Sequence, residues 1–179
     1  HVVLKTKKQK RQMNKILVYD NVMSEEVLYD LKVYVMNEKF KIANSHGTDF
    51  AGLDAGDCFF STEEEEVCTD PTVASILEVI TSLDTVKIDS LVHWYINLYP
   101  SGDGHAGIFH SDDACQITGI YFPSTIHNGG ELEFEDGNKI QTKANRLVMF
   151  DSHIRHKANA HYDHRFRVSF AFKLNGSFI

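Results

Sequence analysis

The 179 residues are predicted to form one α+β domain in which two helices buttress one face of an antiparallel sandwich or barrel. Two observations carry that prediction. Apolar residues recur at helical spacing in two stretches before residue 85, and after residue 88 the period switches to two, with turn residues between short β-rich runs. No internal repeat and no βαβ alternation interrupts this order. A hydrophobic content of 42% with 3 prolines supplies a core and excludes a disordered chain.

The first helix is expected from Ser24-Glu25-Glu26 to about Lys41, with Ser24 as N-cap and Val27, Leu28, Leu31, Val35 and Met36 near helical spacing. The second opens at Thr69-Asp70-Pro71, a cap followed by a first-turn proline, and carries Val73, Ile76, Leu77, Val79, Ile80 and Leu83 on its apolar face. Between them, Ala43 to Cys68 is rich in Gly, Asp and Ser and ends in Glu63 to Glu66, which reads as a solvated loop able to cover a pocket. The expected strands are Leu91–Tyr99, Ile108–His110, Cys115–Phe122, Glu131–Phe134, Lys139–Thr142, Leu147–Asp151 and Phe166–Leu174, with Asp136-Gly137 as a hairpin turn. Residues 13–88 are therefore read as helical support and 89–174 as the β-rich core of a single domain, 13–179.

The net charge of −7 excludes the basic excess typical of nucleic-acid binders, so no nucleic-acid partner is expected. Five of the 18 basic residues lie in residues 1–12, which hold no acid, so the remainder carries −12. This basic stretch is a separate compositional unit, read as an expression remnant or upstream extension, with a basic arm for nucleic acid or acidic lipid as the functional alternative. No apolar run has the ~18 to 20 residues a membrane helix needs, and no leader is recognisable, so a cytoplasmic protein with no membrane partner is expected. Cys58, Cys68 and Cys115 are odd in number and lack CxxC spacing, which argues for reduced thiols rather than a disulfide framework.

Chemistry concentrates in Phe109-His110-Ser111-Asp112-Asp113. His110 and Asp112 are two apart, so on an extended segment they project to one side. A distal His would complete the 2-His-1-carboxylate facial triad, which leaves iron with open positions. His156 is the candidate, following the apolar run Arg146 to Phe150 and preceding Arg165-Phe166-Arg167-Val168-Ser169-Phe170. An Arg aimed from such a strand into a barrel of low polarity would be a bidentate receptor for a carboxylate.

From Leu91 to Phe172 the chain resembles the Fe(II)/2-oxoglutarate-dependent oxygenases, in their prolyl-4-hydroxylase-like branch. The matching pieces are Tyr99-Pro100 before a Gly-rich turn, His110-x-Asp112, Gly129-Gly130-Glu131-Leu132-Glu133-Phe134, Arg146 to Phe150 leading into Ser152 and His156, and Arg167-x-Ser169. The resemblance implies a double-stranded β-helix, a jelly-roll or cupin-like barrel with the N-terminal helices on its major sheet. It implies that His110, Asp112 and His156 ligate Fe(II), and that Arg167 pairs with the distal carboxylate of 2-oxoglutarate, with Ser169 adding a hydrogen bond. It also implies that Tyr99 points its hydroxyl at the metal-proximal end of the co-substrate, and that O2 is consumed, with ascorbate as an auxiliary reductant. By strand parity Tyr95 and Asn97 share the face of Tyr99 and line the substrate side.

Some positions depart from the family pattern. Where relatives often carry a tyrosine touching the distal carboxylate, this chain has Phe122, and Thr118 on the same face is expected to compensate. Arg165 competes with Arg167 as carboxylate partner, and His153 with His156 as distal ligand. Asp112 occupies the position that related halogenases leave as Gly or Ala, which favours hydroxylation. The expected activity is therefore a dioxygenase that hydroxylates a prolyl or other residue of a protein or peptide and releases succinate and CO2. An oxygenase of a free amino acid or other small molecule is the alternative, and a cupin-like metal-binding module without turnover is the other.

Overall fold

Antiparallel pairing dominates the chain beyond its second helix, as the period-two pattern requires. The computed structural model describes residues 15–44, 58–103 and 105–179; the basic stretch 1–12 and the middle of the acidic loop lie outside these. In chain order the elements are β1 (Ile16–Asp20), α1 (Glu25–Asn37), β2 (Lys41–Asn44), β3 (Cys58–Ser61), α2 (Pro71–Ser82), β4 (Val86–Tyr99), β5 (Ile117–Phe122), β6 (Leu132–Phe134), β7 (Lys139–Ile140), β8 (Arg146–Asp151), β9 (His156–Ala158) and β10 (Arg167–Phe178). Seven strands form a major sheet in the order β1-β8-β5-β10-β4-β3-β2, and β7-β6-β9 form a minor one. This is a double-stranded β-helix.

Both helices start where their caps dictate. Ser24 accepts a hydrogen bond from the Val27 amide at 3.3 Å, and Asp70 accepts from the Thr72 and Val73 amides at 2.8 and 3.1 Å, with Pro71 next in the chain. Leu28 and Leu31 of α1 and Val73, Ile76 and Ile80 of α2 are buried against Trp94, Ile96, Tyr121, Met149, Phe170 and Phe172 of the major sheet. Neighbouring residues on the same strands turn the other way: Ile120, Phe122, Val148 and Phe150 pack with Leu132 and Phe134 of the minor sheet. Sheets covered on both faces need continuous apolar runs, which is why β5 and β8 show no polar alternation. None of the described helices is long and apolar enough to cross a membrane.

The structure departs from expectation in several places, among them an unexpected short strand, β9. The stretch read as helical support and loop also holds β1, β2 and β3, short strands on and next to the sheet edges whose partners are remote in sequence. Helix α1 stops at Asn37 rather than Lys41, because Lys41 already pairs with Ser61 in the β2–β3 ladder. Met36, expected on the apolar face, is 83% exposed. Finally, Ile108–His110 is not a strand: only an isolated bridge between His110 and His156 forms there. The described thiols, Cys68 and Cys115, are free.

Candidate metal centre

The inner wall of the major sheet follows from parity on two long strands. β4 and β10 run antiparallel with Arg167 opposite Tyr99, Ser169 opposite Asn97 and Ala171 opposite Tyr95. Because Trp94, Ile96, Phe170 and Phe172 face the helices, the alternate residues Tyr95, Asn97, Tyr99, Arg167, Ser169, Ala171 and Lys173 must face the space between the sheets. Polar residues alternate here with a buried apolar row, and that is the cost a binding site imposes on a core strand.

Opposite this wall, His110 and His156 form an antiparallel backbone pair, with the His110 amide donating to the His156 carbonyl at 3.0 Å and the reverse bond at 2.9 Å. Directly opposed residues share a face of the ladder, which brings the two rings to 4.5 Å between centroids. The Asp112 amide donates to the Ser152 carbonyl at 2.8 Å and carries the carboxylate to the same place. His110 Nε2 lies 3.9 Å from Asp112 Oδ1, His156 Nε2 lies 3.6 Å from Asp112 Oδ2, and the three ligand atoms all fall within 4.8 Å of one another.

The donor set suits a divalent cation. Nδ1 of His110 sits 3.0 Å from the Ile108 carbonyl and Nδ1 of His156 sits 2.9 Å from the Ile154 carbonyl. Each ring therefore donates through Nδ1 and turns the Nε2 lone pair toward Asp112, the tautomer a metal requires. Burial, against the opposing pull of Asp112, pushes the His156 pKa down to about 4, so its imidazole is neutral at pH 7. For Asp112 burial works upward, but the nearby charges of Lys173 and His156 and the hydrogen bonds from Lys173 and Thr118 outweigh it, and the carboxyl is held below its ordinary value.

Arg167 is 2% exposed and lies at the other end of the same recess. Its Nε donates to the Gly130 carbonyl at 2.8 Å and to Thr142 Oγ1 at 3.1 Å, and its guanidinium packs over the rings of Tyr99 and Phe122 at 5.2 and 5.1 Å. Among the described residues no carboxylate forms an ion pair with it. Burial, opposed by Tyr99 and Glu131, lowers its pKa to about 10, which still leaves it charged at neutral pH. A buried cation with no counter-ion is costly unless a ligand supplies one. Gly130 makes this geometry available: its φ is +72°, and a Cβ there would meet Ile126 at 2.9 Å and Arg167 Cδ at 3.4 Å.

The remaining expected residues are placed as follows. Ser169 lies beside Arg167 on the same wall, 3% exposed. Tyr99 is buried, stacks on Phe59 at 4.8 Å and has its pKa pushed up to about 12, mainly by burial. Thr118 is not at the Arg167 end: its hydroxyl donates to Asp112 Oδ2 at 2.5 Å, so the expectation that it replaces the hydroxyl missing at Phe122 is corrected. Thr142 is the hydroxyl beside Arg167 instead. Of the competing residues, Arg165 is exposed, and His153 is exposed and paired with Asp151 at 3.0 Å.

Sequence reading missed Lys173. It is 5% exposed, and its ammonium forms an ion pair with Asp112 Oδ2. The signal was present in parity, since Lys173 shares the inward face of Arg167 and Ser169 six residues along β10. Asn97 also stands out, because its Oδ1 is buried on the inner wall with no hydrogen-bond partner among the described residues, an acceptor left for something bound.

No family model and no curated protein matches this sequence. Solved structures do match in fold. A prolyl hydroxylase from Trichoplax adhaerens, solved in complex with a hypoxia-inducible-factor oxygen-degradation-domain peptide fragment, aligns with TM-score 0.67 and 15% identity over 91% of this chain and 84% of that one. A Pseudomonas putida prolyl-4-hydroxylase aligns with TM-score 0.66 and 14% identity, covering 91% and 93%. The non-haem α-ketoglutarate-dependent epimerase SnoN of nogalamycin biosynthesis aligns with TM-score 0.61 and 11% identity, covering 89% and 75%. The chain thus has the double-stranded β-helix fold of the 2-oxoglutarate and Fe(II) oxygenases, and it carries a His-Asp-His cluster able to hold a metal ion.

Proposed function

We propose that this chain is an Fe(II)- and 2-oxoglutarate-dependent oxygenase that hydroxylates a residue of a protein or peptide, a prolyl residue being the first candidate. The observation that carries the reading is Arg167, a buried guanidinium with no ion-pair partner among the described residues, in the recess lined by His110 and His156. A dicarboxylate would chelate a metal at one end and pair with Arg167 at the other. When bound, Fe(II) with 2-oxoglutarate and O2 supplies the oxidising power that inserts oxygen into a C–H bond, yielding succinate and CO2.

The protein's own part is binding and orientation. His110, Asp112 and His156 would hold the metal on one face, leaving the opposite face to co-substrate and O2. Arg167 would grip the distal carboxylate, with Ser169 beside it and the Tyr99 ring, stacked on Phe59, packed against the guanidinium. The substrate side is an open cavity of about 400 Å³ lined by Phe59, Glu64, Tyr95, Asn97 and His110 among others. Its openness and mixed polarity suit an extended peptide segment, and the peptide complex of the Trichoplax enzyme supports the same substrate class.

The test is an anaerobic Fe(II) titration with and without 2-oxoglutarate, read by the visible charge-transfer band of a chelated 2-oxo acid. The band is expected in the native protein and absent in His156→Ala, after which succinate release screens peptides against free amino acids and other small molecules. No band with metal demonstrably bound would give the lead to a cupin-like metal-binding module without turnover.

A further inference from the structure

Lys173 is a cation where a metal site ordinarily has none. It stands opposite Thr118 in the β10–β5 ladder, and this cross-strand pair delivers an ammonium and a hydroxyl to the same atom, Asp112 Oδ2. Its Nζ also lies 5.7 Å from the centroid of the Tyr95 ring, and the side chain is 6% exposed. Among the described residues Asp112 is the one carboxylate paired with it. The only negative charge within the His-Asp-His cluster is therefore already neutralised by a fixed, buried positive one.

On the reading that His110, Asp112 and His156 ligate the metal, we propose that Lys173 makes metal retention depend on the 2-oxo acid. Two neutral imidazoles and one carboxylate normally offset one of a divalent ion's two charges. Here Lys173 cancels that offset, because the ammonium held at Asp112 would repel the ion through low-dielectric protein where such repulsion is weakly screened. The chelating carboxylate of the co-substrate restores the missing negative charge. Metal and 2-oxo acid then bind as a mutually dependent pair, each raising the other's affinity by the same factor.

The experiment uses Mn(II) as an oxygen-stable probe and follows free Mn(II) by electron paramagnetic resonance, with and without 2-oxoglutarate, in the native protein, Lys173→Met and Lys173→Arg. In the native protein 2-oxoglutarate should tighten Mn(II) binding at least about tenfold. In Lys173→Met, Mn(II) alone should bind about tenfold tighter than to the native protein, and the co-substrate effect should shrink to a few-fold. Lys173→Arg should behave as the native protein does. A lysine that merely braces Asp112 gives the opposite sign: Mn(II) bound more weakly by Lys173→Met, or equally, overturns the proposal while leaving the metal site standing. Absence of Mn(II) binding in all three proteins under both conditions would sink the metal-site reading itself and this inference with it.

Discussion

Arg167→Met should weaken 2-oxoglutarate binding while leaving the ligand-free fold as stable as before or more so, two effects of opposite sign from one side chain. The terminal nitrogens of Arg167 are the donors available to a carboxylate, since Nε is committed to Gly130 and Thr142. Two charge-assisted bonds at roughly 1.5 to 3 kcal/mol each amount to about 3 to 6 kcal/mol. At roughly 1.4 kcal/mol per decade, that is a loss of about a hundredfold to ten-thousandfold in affinity. Without ligand the balance reverses, because the substitution removes a buried charge that has no ion-pair partner among the described residues. Exchanging buried ionic groups for apolar ones of similar volume is commonly neutral or stabilising by roughly 1 to 4 kcal/mol. The loss of the Nε bonds moderates the gain, although the Gly130 carbonyl keeps its bond from Thr142 at 2.6 Å. The assay is thermal denaturation with Mn(II) across a 2-oxoglutarate series. The native protein should gain stability with ligand as mass action requires, whereas Arg167→Met should start at an equal or higher midpoint and gain almost nothing. Arg165→Met is the control and should titrate as the native protein does. Native-like affinity in Arg167→Met, or its loss in Arg165→Met, would refute the reasoning.

Other outcomes follow from the same geometry. His110→Ala should abolish the Fe(II) and 2-oxoglutarate charge-transfer band without unfolding the domain, while His153→Ala, whose ring pairs with Asp151 on the surface, should keep it; visible absorption and circular dichroism decide both. Gly130→Ala forces a Cβ into a left-handed backbone conformation and against Ile126, so it should cost about 1 to 2 kcal/mol in denaturant unfolding and weaken 2-oxoglutarate by displacing the carbonyl under Arg167. Ile76→Ala, in the fully buried layer between α2 and the major sheet, should cost about 2 to 5 kcal/mol and leave metal affinity unchanged, measured by urea unfolding and Mn(II) titration. Asp20 ties β1 to β8 through Arg146 Nε at 2.7 Å and Nη2 at 3.0 Å and through Lys143 at 2.9 Å, bonds that hold its carboxyl well below the usual range. A carboxyl with a depressed folded pKa stabilises above its unfolded value. Asp20→Asn should therefore cost about 1 kcal/mol at pH 7, with the difference from the native protein fading as pH falls below about 4.

What could be read from the chain and what could not divide along physical lines. Caps and periodicity act within a turn or two, so Ser24, Asp70 and Pro71 marked both helices, and alternation located β4 and β10 together with the inward face that carries Tyr99, Arg167 and Ser169. Two members of the His-Asp-His cluster were legible because they are two residues apart, and the third through the family's Ser-x-x-x-His spacing from Ser152 to His156. β1, β2 and β3 were not legible, because short strands near a sheet edge owe their existence to partners such as Phe150 and Leu98, far away in sequence. Thr118 was placed on the correct face but at the wrong end. Parity fixes which side of a strand a residue faces and is silent about which ligand stands above it, and only the register Thr118 opposite Lys173 decides that.

Lys173 shows the same limit most sharply. Alone in β10 it resembles a charged residue near a strand end, where solvent would be expected, and nothing local says that the strand continues to Phe178 and keeps that position covered. Once the ladder is assembled, the ammonium is buried and paired with Asp112, and a lysine on the inner wall bears on the charge of the candidate metal centre. Local pattern and the family resemblance together brought forward the residues proposed to hold a metal and its co-substrate. The non-local pairing of β10 with β5 and β4 sets the electrostatic terms on which they would do so.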